Sequence, residues 1–171
     1  MTLAQLIAVC TSADIAITAP PQAEPESADY GACRIGIGGL SVVYRIAKTT
    51  PTKIGQFVTL WKRPAPGGDI APFDAADNID LVIVSVSVSV SGGDDNKAGG
   101  LFVFDQATLL ARDVMSRDGI GGKRAIRVYP PWCAPIASQA VRTQRWQLER
   151  FISTDAPADV HMARLRQLSW L

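Results

Sequence analysis

Between residues 81 and 90 the chain reads Leu-Val-Ile-Val-Ser-Val-Ser-Val-Ser-Val, a period of two that no helix accommodates. Side chains along a strand point alternately to its two faces, and β-branched residues fit that pleated surface well. Val84, Val86, Val88 and Val90 therefore face one way, and Ser85, Ser87 and Ser89 the other. The pattern predicts a strand over Leu81–Val90 with one buried face and one that is thinly covered. A chain built around such a strand must make a sheet.

The same period runs through Cys33, Ile35 and Ile37, and again through Leu40, Val42, Tyr44 and Ile46. Gly38-Gly39 between the two runs predicts a hairpin, because the turn needs positive φ at both central residues. Further strands are expected over Gln56–Lys62, Leu101–Phe104 and Ala125–Tyr129, the last closed by Pro130-Pro131. Helices are expected at Leu3–Ser12, in a short segment N-capped by Asp105, over Ser138–Ile152, and over Val160–Leu171. Residues 19–29, rich in Pro and acidic side chains, read as a loop. Ser91–Asn96 reads as a turn and Gly119–Gly122 as a flexible loop. Strands fill the middle and helices the ends. The fold class that follows is α+β, with a mixed, mainly antiparallel sheet and flanking helices.

At 171 residues the chain is expected to form one domain, burying about 70% of its unfolded surface. Within it, 1–29 would hold the N-terminal helix and the Pro/acidic loop, 30–152 the core, and 153–171 the C-terminal helical segment. Hydrophobic content of 47% against 19% charged excludes a disordered chain. No run approaches the ~18 apolar residues of a membrane helix. The first ten residues lack the basic flank of a signal peptide. Cys10, Cys33 and Cys133 make neither a disulfide framework nor a metal-binding pair, so a reducing, cytoplasmic setting is expected.

The net charge of +1 hides a segregation. Residues 30–68 carry Arg34, Arg45, Lys48, Lys53, Lys62 and Arg63 without one Asp or Glu, and residues 119–148 carry Lys123, Arg124, Arg127, Arg142 and Arg145, likewise without one. Trp61, Trp132 and Trp146 sit in the same blocks. Cations gathered without acids, with aromatics between them, are the footprint of a polyanion surface, nucleic acid above all. If the blocks meet on one face, Lys53, Arg63, Lys123 and Arg127 share it. The bland alternative is that these cations pair in space with carboxylates from elsewhere.

The segment from Lys48 to Arg63 is the densest constellation. Thr49, Thr50 and Thr52 supply hydroxyls, Gly55 would let backbone N–H approach a ligand, and Lys48 and Lys53 supply charge, the groups that hold phosphate oxygens. In the helix over Ser138–Ile152, Ala140, Val141, Gln144, Leu148, Phe151 and Ile152 make one stripe at about 100° per residue. Trp146 falls opposite, flanked by Gln139, Arg142 and Arg150. It either packs beneath another element or stacks on a partner.

Enzyme chemistry is sparse. Asp80 opens the Val-Ser strand, where a carboxylate of a Mg²⁺ nuclease would sit, but the next strand, Leu101–Asp105, supplies neither a second inner carboxylate nor a Lys. The lone His161 reads as a surface residue, and Cys133 as a small buried hydrophobe. No cofactor motif is present, and none is expected.

Three stretches resemble the MepB family of small bacterial proteins. They are Tyr44–Arg63; Pro72-Phe-Asp74 with Asp80–Val84; and Gly122–Trp132, followed by Gln139-Ala, Arg142-Thr-Gln144 and Trp146-Gln147. The resemblance covers residues 30–152 and implies nucleic-acid binding on a restriction-nuclease-like core. Two features depart from the family pattern: a long Ser/Gly-rich insert at Ser87–Asn96, and Asp105-Gln106 where the family often has Pro-Lys. The expected activity is phosphate contact with DNA or RNA through Lys48, Lys53, Lys62, Arg63, Lys123, Arg124, Arg127 and Arg142, with Trp61, Trp132 or Trp146 stacking. A degenerate Mg²⁺ nuclease using Asp80, and a protein-partner module anchored by exposed Trp, are the alternatives.

Overall fold

The computed structural model of the chain describes residues 1–88 and 99–169. The turn expected at Ser91–Asn96 and the outer end of the Val-Ser strand lie outside the described residues.

Helix α1 (Leu3–Ser12) begins where expected. Thr2 Oγ1 accepts from the Gln5 N–H at 3.2 Å while Gln5 Oε1 accepts from the Thr2 N–H at 2.7 Å, a reciprocal cap that satisfies two orphan donors. Strand β1 (Ile17–Ala23) follows and takes up the first half of the 19–29 segment expected to be loop. Its Pro20 and Pro21 are tolerated because β1 is an edge strand whose register shifts between Ala19 and Gln22. A short 3₁₀ segment, Pro25–Tyr30, leads into β2 (Cys33–Ile37) and β3 (Leu40–Ile46), the hairpin closed by Gly38-Gly39 at φ of 58° and 86°.

The chain then leaves this sheet for a smaller one. Strands β4 (Lys48–Thr50) and β5 (Lys53–Thr59) pair in it, while β6 (Trp61–Lys62) pairs with β7 (Ala71–Pro72) as a separate two-stranded ribbon. It returns as β8 (Leu81–Ser87), parallel to β3, and β9 (Gly99–Asp105), antiparallel to β8. Helix α2 (Gln106–Ala111) starts at Asp105, whose Oδ1 accepts from the Thr108 N–H at 2.6 Å. Strand β10 (Ala125–Val128) joins β5, and helix α3 spans Ser138–Leu148. The helix expected to reach Ile152 ends four residues early. Phe151–Ser153 forms β11 against β9, where pairing with a sheet edge outweighs helical periodicity. Helix α4 (Ala158–Ser169) closes the described chain.

The main sheet runs β1-β2-β3-β8-β9-β11, and only the β3–β8 pair is parallel. Its two faces bury two cores. On one, Leu6 and Cys10 of α1 and Leu165 of α4 pack on Ile35, Tyr44, Ile83 and Val103. On the other, the small sheet, ordered β10-β5-β4, and α2 cover Val43, Val82, Val84, Phe102 and Phe104 with Val58, Val128 and Leu109. The valines and serines of β8 thus separate as their period demands, but the serine face is less open than expected. Ser85 is buried, its hydroxyl donating to the Met1 carbonyl at 2.8 Å. His161, expected at the surface, is buried between α4 and β11 with Nε2 against the Ser153 carbonyl. Cys133 is only half-buried.

A candidate polyanion groove and a paired basic edge

Helix α3 lies along β10, the edge of the small sheet, and one side chain fixes it there. Gln147, fully buried, donates from Nε2 to the Arg127 carbonyl at 2.9 Å and accepts at Oε1 from the Tyr129 N–H at 2.9 Å. Its amide thereby satisfies the backbone of an otherwise unpaired strand edge. Gln144 does the same for the following turn, donating to the carbonyls of Pro130 at 3.2 Å and Cys133 at 2.8 Å. The inward face of α3 is therefore centred on Gln147, not on the apolar stripe expected from periodicity, and Val141 is exposed. Trp146 turns inward too. Phe104 tilts against it at 5.4 Å, and the Arg112 guanidinium lies over its ring at 5.2 Å. Trp146 is thus partly buried and packs against the core beneath the small sheet and α2.

Between β10 and α3 runs a groove of about 490 Å³, lined by Arg112, Lys123, Arg127, Thr143, Gln139 and Trp146 among others and by no carboxylate. A second groove of about 350 Å³ continues from it across Arg127, Tyr129 and Ala140 to Lys53, Ile54 and Ile136, again without an acid. Among the described residues, no carboxylate pairs with Lys53, Lys123, Arg124, Arg127 or Arg142. Lys53, Lys123, Arg124 and Arg142 are exposed.

Arg127 has a different job. Its Nη1 donates to the Gly55 carbonyl at 3.0 Å, with the carbonyls of Lys53 and Ile54 at 3.4 Å, and its Nη2 donates to Thr50 Oγ1 at 2.7 Å. It ties down the β4–β5 turn. Gly55 sits there at φ 83°, and a Cβ on it would stand 2.7 Å from the Tyr129 ring. The glycine expected to admit a phosphate admits a tyrosine. Thr49 Oγ1 accepts from Gln56 Nε2 at 3.3 Å, so Thr49 and Thr50 both have intramolecular partners.

The Gly119–Gly122 loop is pinned. Asp74, buried, accepts at Oδ2 from Ser116 Oγ at 2.7 Å and from the Gly119 N–H at 3.0 Å, and at Oδ1 from the Ala76 N–H at 3.0 Å. These donors, the Ser116 hydroxyl first, pull its carboxyl down to about 2. Gly122 donates to Asp113 Oδ1 at 3.1 Å, and Lys123 Nζ reaches the Arg112 carbonyl at 3.3 Å. Lys123 and Arg124 are thus presented from a built turn.

The first basic block is arranged otherwise. Glu24 pairs with Arg34 at 2.9 Å and with Arg45; Glu26 pairs with Arg63 at 2.7 Å; Asp29 stands 3.8 Å from Lys48; and Asp77 pairs with Lys62. Arg45 is fully buried over Phe73 at 5.6 Å. Burial pushes its charge toward loss, and the Glu24 carboxylate opposes that. The Arg63 guanidinium covers the Trp61 ring at 5.7 Å. Trp132 remains exposed, edge-on to Phe151 at 6.0 Å. Of the four residues expected on one face, Lys53, Lys123 and Arg127 line the two connected grooves. Arg63 does not, and it carries a carboxylate partner. Arg112 enters the site unannounced. It lies outside both acid-free blocks, close to Asp113 and Asp118 in sequence, so composition conceals it.

Asp80, the nuclease candidate, lies immediately before the start of β8. The antiparallel register sets Asp105 opposite Leu81 and hence beside Asp80. Asp80 Oδ2 accepts from the Ser41 N–H at 2.7 Å, while Asp105 caps α2 and pairs with Arg150 at 2.6 Å. Among the described residues no cluster of three His, Cys, Asp or Glu is placed to hold a metal ion. No described helix is long and apolar enough to cross a membrane.

The chain is similar in structure to the crystal structure of MepB, at 26% sequence identity and a TM-score of 0.73, with 92% of this chain and 100% of that one covered. No curated protein matches its sequence. The family pattern described as MepB-like matches residues 24–153, which include the acidic connection, both basic blocks, the groove and β11. The chain belongs to the MepB-like family.

Proposed function

We propose that this protein binds nucleic acid through its phosphates, with little reading of base sequence, in the cytoplasm. The observation that carries the proposal is the run of two connected grooves lined by Lys53, Arg112, Lys123 and Arg127 and free of carboxylates. Arg124 and Arg142, exposed and without carboxylate partners among the described residues, extend the positive field around it. Cations on a rigid concave surface neutralise backbone charge and release counterions whatever the sequence. Three free cysteines agree with a reducing compartment. The test is a titration against a labelled oligonucleotide at two salt concentrations. With about four phosphates neutralised, log K falls with log[salt] at a slope near −4. Lys123→Glu and Arg142→Glu weaken all sequences alike; affinity untouched by both changes overturns the proposal.

A second reading has its own observation. Ile136 is 88% exposed and Ile54 47%, and both line the groove beside Lys53. Apolar anchors at a basic rim suit a protein partner. A salt-independent interaction lost on Ile136→Ser would favour it.

A further inference from the structure

Of the carboxylates that the first basic block lacks in sequence, all but Asp77, the partner of Lys62, stand on one short segment in space. Glu24, Glu26 and Asp29 all lie on the connection from β1 to β2, within and just before the 3₁₀ segment Pro25–Tyr30. The segment is anchored by its inner residues. Glu24 accompanies the fully buried Arg45, Ser27 is buried, and the Glu24 N–H donates to the Ala32 carbonyl at 2.9 Å. Its outer residues are a different population. Arg63 Nε donates to both oxygens of Glu26, at 2.9 and 2.7 Å, yet the Glu26 side chain is 52% exposed. Asp29 stands 3.8 Å from Lys48 with its side chain 89% exposed. Tyr30 lies beneath the same Lys48, whose Nζ is 4.8 Å from the ring centroid.

Exposed pairs of this kind are weak and screened by salt. A phosphate backbone offers the same cations many anionic oxygens and gains counterion release besides. Glu26 and Asp29 can rotate into water while Glu24 and Ser27 keep the backbone in place. We propose that Pro25–Tyr30 is an internal acidic cover over a second phosphate-binding surface, made by Lys48 and Arg63, which a polyanion engages by displacing Glu26 and Asp29. The inference rests on the nucleic-acid reading above and adds to it a surface and a competitor within the chain.

The test compares wild type, Glu26→Gln/Asp29→Asn, and the remote pair Glu149→Gln/Asp155→Asn, which makes the same change in net charge. Each is titrated with a labelled oligonucleotide at several salt concentrations. The cover variant should bind several-fold tighter than the remote one, with a salt slope steeper by about 1–2. That gain should vanish when Arg63→Gln and Lys48→Gln are added. In wild type, the side-chain carboxyl NMR signals of Glu26 and Asp29 should shift as the oligonucleotide saturates, a readout that needs no variant to fold. A gain matched by the remote pair, a gain that survives loss of Arg63 and Lys48, or carboxyl signals that stay fixed at saturation overturns the cover. If wild type binds and Lys123→Glu weakens it while the cover variant changes nothing, the cover falls and the groove stands. Binding by the cover variant alone supports the cover, and binding by neither overturns both.

Discussion

Arg45 and Glu24, 21 residues apart in sequence, form an ion pair in which the arginine is fully buried and the glutamate reaches solvent. Arg45 comes from β3, an inner strand of the main sheet, lies over Phe73 of the core shared with the small sheet, and also donates to the Tyr44 carbonyl, 3.0 Å away. Glu24→Gln leaves a buried charge uncompensated and should cost about 3 kcal/mol or more in urea unfolding. Arg45→Met, which removes the charge but fills the space, should cost less, and adding Glu24→Gln to it should cost little further. Equal and additive losses would show that the pair is not the source of the effect.

Gln147 should be as sensitive as any apolar core residue. Gln147→Ala strands the Tyr129 N–H and the Arg127 carbonyl and opens a space under α3; each unsatisfied buried group costs about 1–3 kcal/mol. The expected outcome is a lowered denaturation midpoint with faster amide exchange across β10. Gln139→Ala, at an exposed position on the same helix, should leave both unchanged.

Asp74 gives stability a defined acid limb. Its carboxyl, normally near 3.8, is held at about 2 in the folded protein. The folded state therefore takes up this proton less readily than the unfolded one. The contribution is complete above the unfolded value and is lost as pH falls from about 4 toward 2. Comparison of wild type with Asp74→Asn should show a stability gap at neutral pH that closes across that window. A gap independent of pH would assign the effect to geometry alone.

No Mg²⁺- or Mn²⁺-dependent cleavage of DNA or RNA is expected. Metal catalysis requires hard oxygen ligands free to converge on an ion, whereas Asp80 and Asp105 are already bonded to the Ser41 N–H, the Thr108 N–H and Arg150. Cleavage abolished by Asp80→Ala and retained in Asp155→Ala would overturn this.

Local signals in the sequence carry much of this architecture. Gly38-Gly39 announces the β2–β3 turn and Asp105 announces α2, each through a backbone requirement that one or two residue types meet. Strand β1 is concealed by Pro20 and Pro21, which an edge strand tolerates at a register shift. Strand β11 is concealed because Phe151 and Ile152 also continue the helical stripe, and only the edge of β9 decides between the two. Periodicity leaves Trp146 open between packing and stacking because the residue that anchors α3 is a glutamine, whose amide supplies what a missing strand would. For the site, composition finds Lys53, Lys123 and Arg127. It cannot see that Glu26 reaches Arg63 across 37 residues, since such pairing is a property of topology.

The main sheet and the three-stranded sheet are threaded through each other along the chain. Strands β1–β3 belong to the main sheet, β4 and β5 to the small one, β8 and β9 to the main one again, β10 to the small one and β11 to the main one. Neither sheet can be completed before most of the other's sequence is in hand: Val128 must find Gln56, and Phe151 must find Phe102. Such long loop closures make folding slow relative to helical proteins of this size. They also tie the groove, built on β5 and β10, to the acidic edge beside β1 through strands of both sheets.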